Sequence, residues 1–266
     1  MKSNHQSDTE AYVWIWLPQE TSPVVAGKLT QLGGSLVFNY GQSYLARENA
    51  IAYYEPELPL IPGRLPLPSG MSMPSCIRDA SPDAGCRRVI INRQFLSAQK
   101  SSPDYQLNEL TYLLESGSDR IGALDFQCSP TVYEPRTSTK APLDELMDAA
   151  MRVEQGIPLS PALNEAINHR TSIGGARPKA LIEDHDIKYI AKFSSSSNLY
   201  NVVKSEFIAM RLAQHCGLNV AEVTLTRSSN KDVLSIKRFD REASKNGWLR
   251  KSMVSTLTLI PLHLMI

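Results

Sequence analysis

The chain has 266 residues and a formal net charge of +1, enough length for one large or two small cores and no global electrostatic case for nucleic acid or an anionic membrane. Cys76, Cys86, Cys128 and Cys216 show no C-x-x-C spacing, which argues against a zinc site or disulfide framework and fits a reducing cytoplasm. Met1 to Glu10 lacks the apolar core of a signal peptide, and the apolar tract Thr256 to Ile266 is too short to span a bilayer and is broken by Pro261 and His263.

In chain order, Tyr12 to Leu17 reads as a strand ended by Pro18. Val24 to Leu32 and Ser35 to Tyr40 read as a hairpin across Gly33-Gly34. Trp14, Trp16, Phe38 and Tyr40 fit a stacking surface or a core with cross-strand pairs, and the core reading is preferred. Pro56 to Pro68 reads as an extended loop. Pro82-Asp-Ala opens a helix carrying Arg87, Arg88 and Arg93, taken as a solvated face, with phosphate or a partner's carboxylates as the alternative. Gln106 to Glu115 and Leu143 to Val153 read as helices, and Ile121 to Phe126 as a short strand. Ser160 followed by Pro161 marks the start of a further short helix. The aperiodic stretch from Cys128 to Thr139 divides the chain, giving an expected N-terminal subdomain over 10–128 and a second unit over 140–258.

The centre of the sequence is Thr171-Ser-Ile-Gly-Gly-Ala-Arg-Pro-Lys-Ala-Leu-Ile182, followed by Ile187-Lys-Tyr-Ile-Ala-Lys-Phe193. Gly174 and Gly175 permit positive φ and close approach of a ligand, and successive backbone N–H groups in such a turn form an anion cradle. The alternation from Ile187 to Phe193 reads as a strand with Lys192 near its end. A hairpin with a surface lysine is the plainer reading of this pattern taken alone, because the loop is not G-x-G-x-x-G. Glu183-Asp-His-Asp186 has metal-binding side-chain types, but adjacent polar residues between two strands read as a solvated turn.

Asn201 to Cys216 reads as a helix capped at Gly217. Val203, Phe207 and Met210 share one face, and Glu206 lies on the same face. An inward glutamate is costly unless paired, and Lys192 is the natural partner. Glycine loop, strand lysine and helix glutamate are the parts with which kinases hold nucleotide phosphates. Glu222 to Arg227 and Asp232 to Arg241 read as two further strands across the turn Ser228 to Lys231.

The segments S-I-G-G-A-R-P-K-A-L-I, Y-I-A-K-F, E-F-I-A-M-R-L-A-Q-H-C-G-L and I-K-R-F-D-R resemble the HipA family of toxin serine/threonine kinases. Leu45, Leu58-Pro-Leu-Ile-Pro62 and Asp79-Ala-Ser-Pro-Asp83 with Arg87-Arg-Val-Ile90 resemble its N-terminal subdomain. Ser118-Asp-Arg-Ile-Gly-Ala-Leu-Asp-Phe126 resembles its connector. The resemblance runs in order from about Tyr12 to Thr258. It departs at Gly85-Cys86, where the family pattern has Trp-Gly, so lost packing is expected there.

The resemblance implies an α+β fold: a HipA-type N-terminal subdomain plus a protein-kinase-like small lobe. It implies an ATP site with Gly174, Gly175 and Ala176 in the phosphate loop, Lys179 beside it and Lys192 on the phosphates. Lys237 and Phe239 would offer hinge backbone groups to adenine, and Asp240 would lie near the ribose. Ser172 matches the autophosphorylated position of the family, where phosphate would add about −1.5 to −2 charges and oppose ATP. The implied cofactors are ATP and Mg2+.

Phosphoryl transfer also needs a base and metal ligands, and no H-x-D-x-x-x-x-N or D-x-G segment follows Arg241. Lys251 to Leu259 still resembles the helix after the hinge, whereas Ile260-Pro-Leu-His-Leu-Met-Ile266 does not, so 259–266 is expected to be a divergent tail. The expectation is a large lobe lost to a frameshift, an early stop or a split gene, leaving no catalytic residue and no metal ligand here. Three outcomes follow: an ATP-binding half that is inactive alone, a non-catalytic module, or an unstable remnant. The expected partner is a helix-turn-helix antitoxin or a separate catalytic-lobe polypeptide, with no direct nucleic acid and no membrane.

Overall fold

The computed structural model describes residues 9–98, 107–137, 141–155, 157, 159–160, 162–163, 179–194 and 200–260. The N-terminal half is built on an antiparallel sheet of β1 (Glu10–Ile15), β2 (Val24–Leu32), β3 (Ser35–Tyr40) and β4 (Leu124–Gln127), in the order β3-β2-β1-β4. The β2–β3 hairpin turns at Gly33, whose φ of 57° is the left-handed conformation that glycine adopts without strain. Val13, Ile15, Leu29, Leu36, Phe38 and Phe126 alternate onto one buried core. Against them pack Tyr44 of α1 (Gln42–Leu45), Ile77 of α2 (Ser75–Asp79) and Leu110 and Leu113 of α4 (Glu109–Glu115). Trp14, Trp16, Phe38 and Tyr40 are all buried, as a core rather than a stacking surface.

Helix α3 (Ala84–Ala98) starts where Asp83 Oδ1 accepts the N–H of Cys86 at 2.8 Å, a side-chain cap of the first turn. Cys86 is buried in the place expected to lack packing. The arginines of this helix do not share one solvated face. Arg87 binds Glu109 through both terminal nitrogens, at 2.5 and 2.7 Å, and its guanidinium lies 4.5 Å from the centre of the Tyr112 ring. Arg88 is exposed, and the side chain of Arg93 lies outside the described residues.

The second half contains an antiparallel sheet of β5 (Lys179–Asp184), β6 (Ile187–Phe193), β7 (Val223–Ser228) and β8 (Lys231–Lys237), in the order β5-β6-β8-β7. Ala180, Ala191, Phe193 and Val233 turn to one face and pack on Leu146, Ala149, Ala150 and Val153 of α5 (Leu143–Glu154). Helix α6 (Val202–His215) begins at Asn201, whose side chain accepts the N–H of Lys204, and ends before Gly217 with φ of 80°. The turn between β7 and β8 has positive φ at Ser229 and Asn230, the twist that a two-residue hairpin requires. The fold is α+β, with a kinase-like small lobe beside the N-terminal sheet.

Two elements differ from expectation. The strand expected to run to Arg241 stops at Lys237, and β9 (Arg241–Ser244) pairs instead with β10 (Gly247–Arg250). Beyond the end of β8, Arg238 and Asp240 are buried in an ion pair, with Phe239 exposed between them. The helix expected over Lys251 to Leu259 shortens to α7 (Thr256–Leu259). Its start is fastened by Asp79, which accepts from Ser255 N at 2.6 Å and from the hydroxyls of Ser255 and Thr258, each at 2.8 Å.

Candidate functional site

Strand β6 carries the site. Its register pairs Lys192 with Lys179 on β5 and with Leu234 on β8. Side chains opposite one another share a face. Lys188, Ile190 and Lys192 therefore point to the same side as Lys179, Leu181, Leu234 and Ile236. Helix α6 brings Glu206 to that side, where Lys192 Nζ meets its Oε1 at 2.5 Å. The two side chains are 31% and 30% exposed, so the pair is within reach of a ligand from solvent.

Lys179 stands differently. Its Nζ lies 2.9 Å from Asp83 Oδ2, with the two side chains only 7% and 8% exposed. Asp83 belongs to the N-terminal half, so the lysine expected beside a phosphate loop is covered by a carboxylate from the other half.

Of the residues expected at the hinge, Lys237 and Asp240 are engaged. The N–H of Lys237 donates to Glu222 O at 2.9 Å, and its ammonium lies 3.2 Å from Glu222 Oε2. Phe239 is 63% exposed. Asp240 is buried rather than turned to a ribose. It accepts from Arg238 and Arg241, each at 2.8 Å, and from the Gly122 N–H at 2.9 Å.

That contact is one corner of a buried charge network between the halves. Asp119 receives Lys188 at 2.7 Å, Arg238 at 3.0 Å and Arg241 at 3.1 Å. Arg238 and Arg241 also donate to the Arg120 carbonyl. Arg120 itself is fully buried against Asp125 at 3.0 Å, and Arg136 reaches the same carboxylate at 2.8 Å. Arg250 lies over Trp16, 3.4 Å from the ring centre, and donates to the Ser118 carbonyl at 2.8 Å. Burial alone would raise the Asp119 carboxyl, but Arg238, Arg241 and Lys188 outweigh it and hold the group well below the usual carboxylate range. Asp125 is lowered in the same way by Arg120 and Arg136, and Asp240 by hydrogen bonds from Arg238 and the charge of Arg241. Burial pushes the Arg241 guanidinium down to about 9 and that of Arg120 down to about 10, so both remain cations at neutral pH.

The structure thus brings Lys179, Lys192 and Glu206 to one end of the sheet and places Lys237 at the end of β8, with Phe239 and Asp240 between β8 and β9. Ser172, Gly174, Gly175 and Ala176 lie outside the described residues. Glu183 and Asp184 end β5, and His185-Asp186 makes the turn into β6, with His185 at φ 52° and its side chain 91% exposed. Sequence reasoning missed Asp83, Asp119, Arg238 and Arg241 as partners. The D-R pair of the connector and the R-F-D-R run were both visible, but no spacing joins two segments so far apart in the chain.

The donor set can be tested against the implied cofactor. Two lysines in cross-strand register suit phosphate oxygens, and the apolar side chains Leu181, Ile190 and Ile236 on the same face suit a purine ring. Mg2+ is different: among the described residues no group of three or more His, Cys, Asp or Glu side chains is placed to hold a metal ion. Among them also, no helix is long and apolar enough to cross a membrane.

Comparison with known proteins is consistent along both halves. The HipA N-terminal domain family matches residues 15–127, and the HipA-like C-terminal domain family matches residues 171–264. No curated protein matches the sequence. Among solved structures, a chain from the Shewanella oneidensis MR-1 toxin–antitoxin complex of HipA, HipB and operator DNA is similar in fold, with a TM-score of 0.55 and 21% identity. The similarity covers 91% of the present chain and 55% of that chain, so the present chain spans little more than half of its structural relative.

Proposed function

This chain belongs to the HipA family, and we propose that it supplies the nucleotide-gripping part of a HipA-like serine/threonine kinase. The observation that carries this reading is the contact of Lys192 with Glu206 across strand and helix. A carboxylate at this position orients the ammonium without burying it, leaving donors for phosphate oxygens. Ile190 and Ile236 lie on the same face, where a base gains from leaving water.

The chemistry of ATP, when bound, is transfer of its terminal phosphoryl group to a hydroxyl. What the residues described here contribute is binding and orientation. The residues after Arg241 carry neither H-x-D-x-x-x-x-N nor D-x-G, and the transfer step is assigned to no residue of this sequence. Asp240 is removed from the proposed ATP contacts, because all its acceptor capacity faces Arg238, Arg241 and Gly122.

The test is calorimetric titration of the chain with MgATP. The expected result is weak binding, about millimolar: losing ~4 kcal/mol of metal and base contacts weakens an ordinary micromolar site about a thousandfold. Binding should vanish in Lys192→Met. Equal binding by wild type and a folded Lys192→Met variant would remove the reading.

A second reading is a module that binds an antitoxin-type partner without using ATP. The observation favouring it is the outer side of α6, where Ile208 and Leu212 are 56% and 59% exposed, with Leu218 just beyond at 61%. Partner binding that survives Lys192→Met and is lost in Ile208→Asp/Leu212→Asp separates the two readings.

A further inference from the structure

Lys179 and Lys192 face each other across the β5–β6 ladder. Like charges directly opposite destabilise a ladder, and here each is met by a carboxylate from a different element. Glu206 of α6 takes Lys192, and Asp83 at the start of α3 takes Lys179. The exposures separate the two pairs. The first is about a third open to solvent, while the second is almost closed, at 7% and 8%.

Asp83 divides its two oxygens between two tasks. Oδ1 accepts the Cys86 N–H at 2.8 Å and caps the helix. Oδ2 faces Lys179, is buried, and accepts no aligned hydrogen bond. The lysine contact is therefore an ion pair made by a different oxygen from the one that caps the helix. It can be given up while the helix cap stays in place, and the flexible four-carbon stem lets the ammonium swing to another anion.

We propose that Asp83 is a competing anion that withholds Lys179 from the phosphate-facing end of the sheet until a polyphosphate displaces it. The proposal rests on reading β6 as the phosphate-gripping strand. A polyphosphate offers several charges and oxygens to two lysines at once, whereas Asp83 offers one charge to one. Since Asp83 belongs to the N-terminal half, filling the site weakens a tie between the halves. By linkage, whatever strengthens that tie weakens polyphosphate binding by the same factor.

The probe is inorganic tripolyphosphate, run beside ATP in calorimetric titrations of the full chain. Asp83→Asn and Asp83→Ser both keep a capping acceptor for α3 while removing the charge. Each should bind tripolyphosphate about tenfold more tightly than wild type, as expected when a competing charge pair is lost. The gain should disappear in Asp83→Asn/Lys179→Met. Folded Asp83 variants that bind no more tightly, or a gain that persists without Lys179, overturn the proposal. A readout without substitution guards against misfolding. In wild type, saturating tripolyphosphate should speed deuterium uptake in α3 beyond its capped first turn as the tie between the halves weakens, and unchanged uptake also overturns the proposal. The underlying reading fails separately. If ATP binds no more tightly than tripolyphosphate, adenosine adds nothing and the nucleotide site is lost, while the Asp83 competition stands. If neither probe binds any variant, both are lost.

Discussion

Asp119 Oδ2 accepts a hydrogen bond from Lys188 Nζ at 2.7 Å, joining the connector of the N-terminal half to the strand that carries Lys192. The same strand is tied at its other end by Glu206. Two carboxylates from different parts of the chain thus set the position of β6 relative to both the N-terminal half and α6.

Lys192 and Glu206 are about a third exposed, and an ion pair of that exposure contributes at most about 1 kcal/mol to stability. Lys192→Met should therefore keep a near-wild-type melting temperature while losing ATP binding. Glu206→Gln should weaken ATP binding less, because the ammonium is present but less well oriented. A melting temperature that collapses in Lys192→Met would show that the pair is structural first.

Asp119 answers three cations at once. Removing its charge leaves Arg238 and Arg241 buried with Asp240 as their remaining carboxylate. Asp119→Asn should destabilise the chain by about 3 kcal/mol, in the range for breaking a buried pair from one side. It should also loosen the tie between the halves. Urea unfolding followed by tryptophan fluorescence and by circular dichroism should coincide in wild type and separate in the variant.

Acid should act through the same network. The carboxyls of Asp119, Asp125 and Asp240 are all lowered in the folded chain. A lowered folded value means that the stabilisation is fully present above the unfolded value, about 3.9 for aspartate, and is lost as pH falls toward the folded value. Urea midpoints should be flat from about pH 5 to 7 and fall steeply below about pH 4. The fall should be shallower in Asp119→Asn. Glu10 and Asp232 are lowered as well, but they lie at the surface, where solvent screens their contribution.

Gly122 sits at φ 77°, and a Cβ there would lie 2.8 Å from the Tyr53 hydroxyl. Its N–H donates to Asp240 and its carbonyl accepts from Arg241, both at 2.9 Å. Tyr53 is itself fixed, donating to Met253 O at 2.9 Å. Gly122→Ala should cost about 2 kcal/mol from the conformational and steric terms together. That corresponds to a drop of roughly 4–8 °C in melting temperature for a chain of this size. Gly33→Ala, also at positive φ but with open space around it, should cost less.

The local elements were legible because their signals are local. Two-residue alternation marked Ile187 to Phe193, Gly33-Gly34 marked the first hairpin, and Asn201 and Gly217 bracketed α6. The inward glutamate could be assigned a lysine partner because burying a lone carboxylate is costly wherever the helix lies. The sequence alone therefore determined the α+β class, the strand lysine and its pairing with Glu206. It did not determine where β8 ends, that Lys179 is covered by Asp83, or that Asp240 faces Gly122 instead of a ligand. Each of these is a contact between the two halves of the chain. Their charges are placed by how two separate sheets dock, and no periodicity within either segment encodes that docking. The tertiary structure decided them because a buried cation takes the nearest available carboxylate in space, however distant it is in sequence.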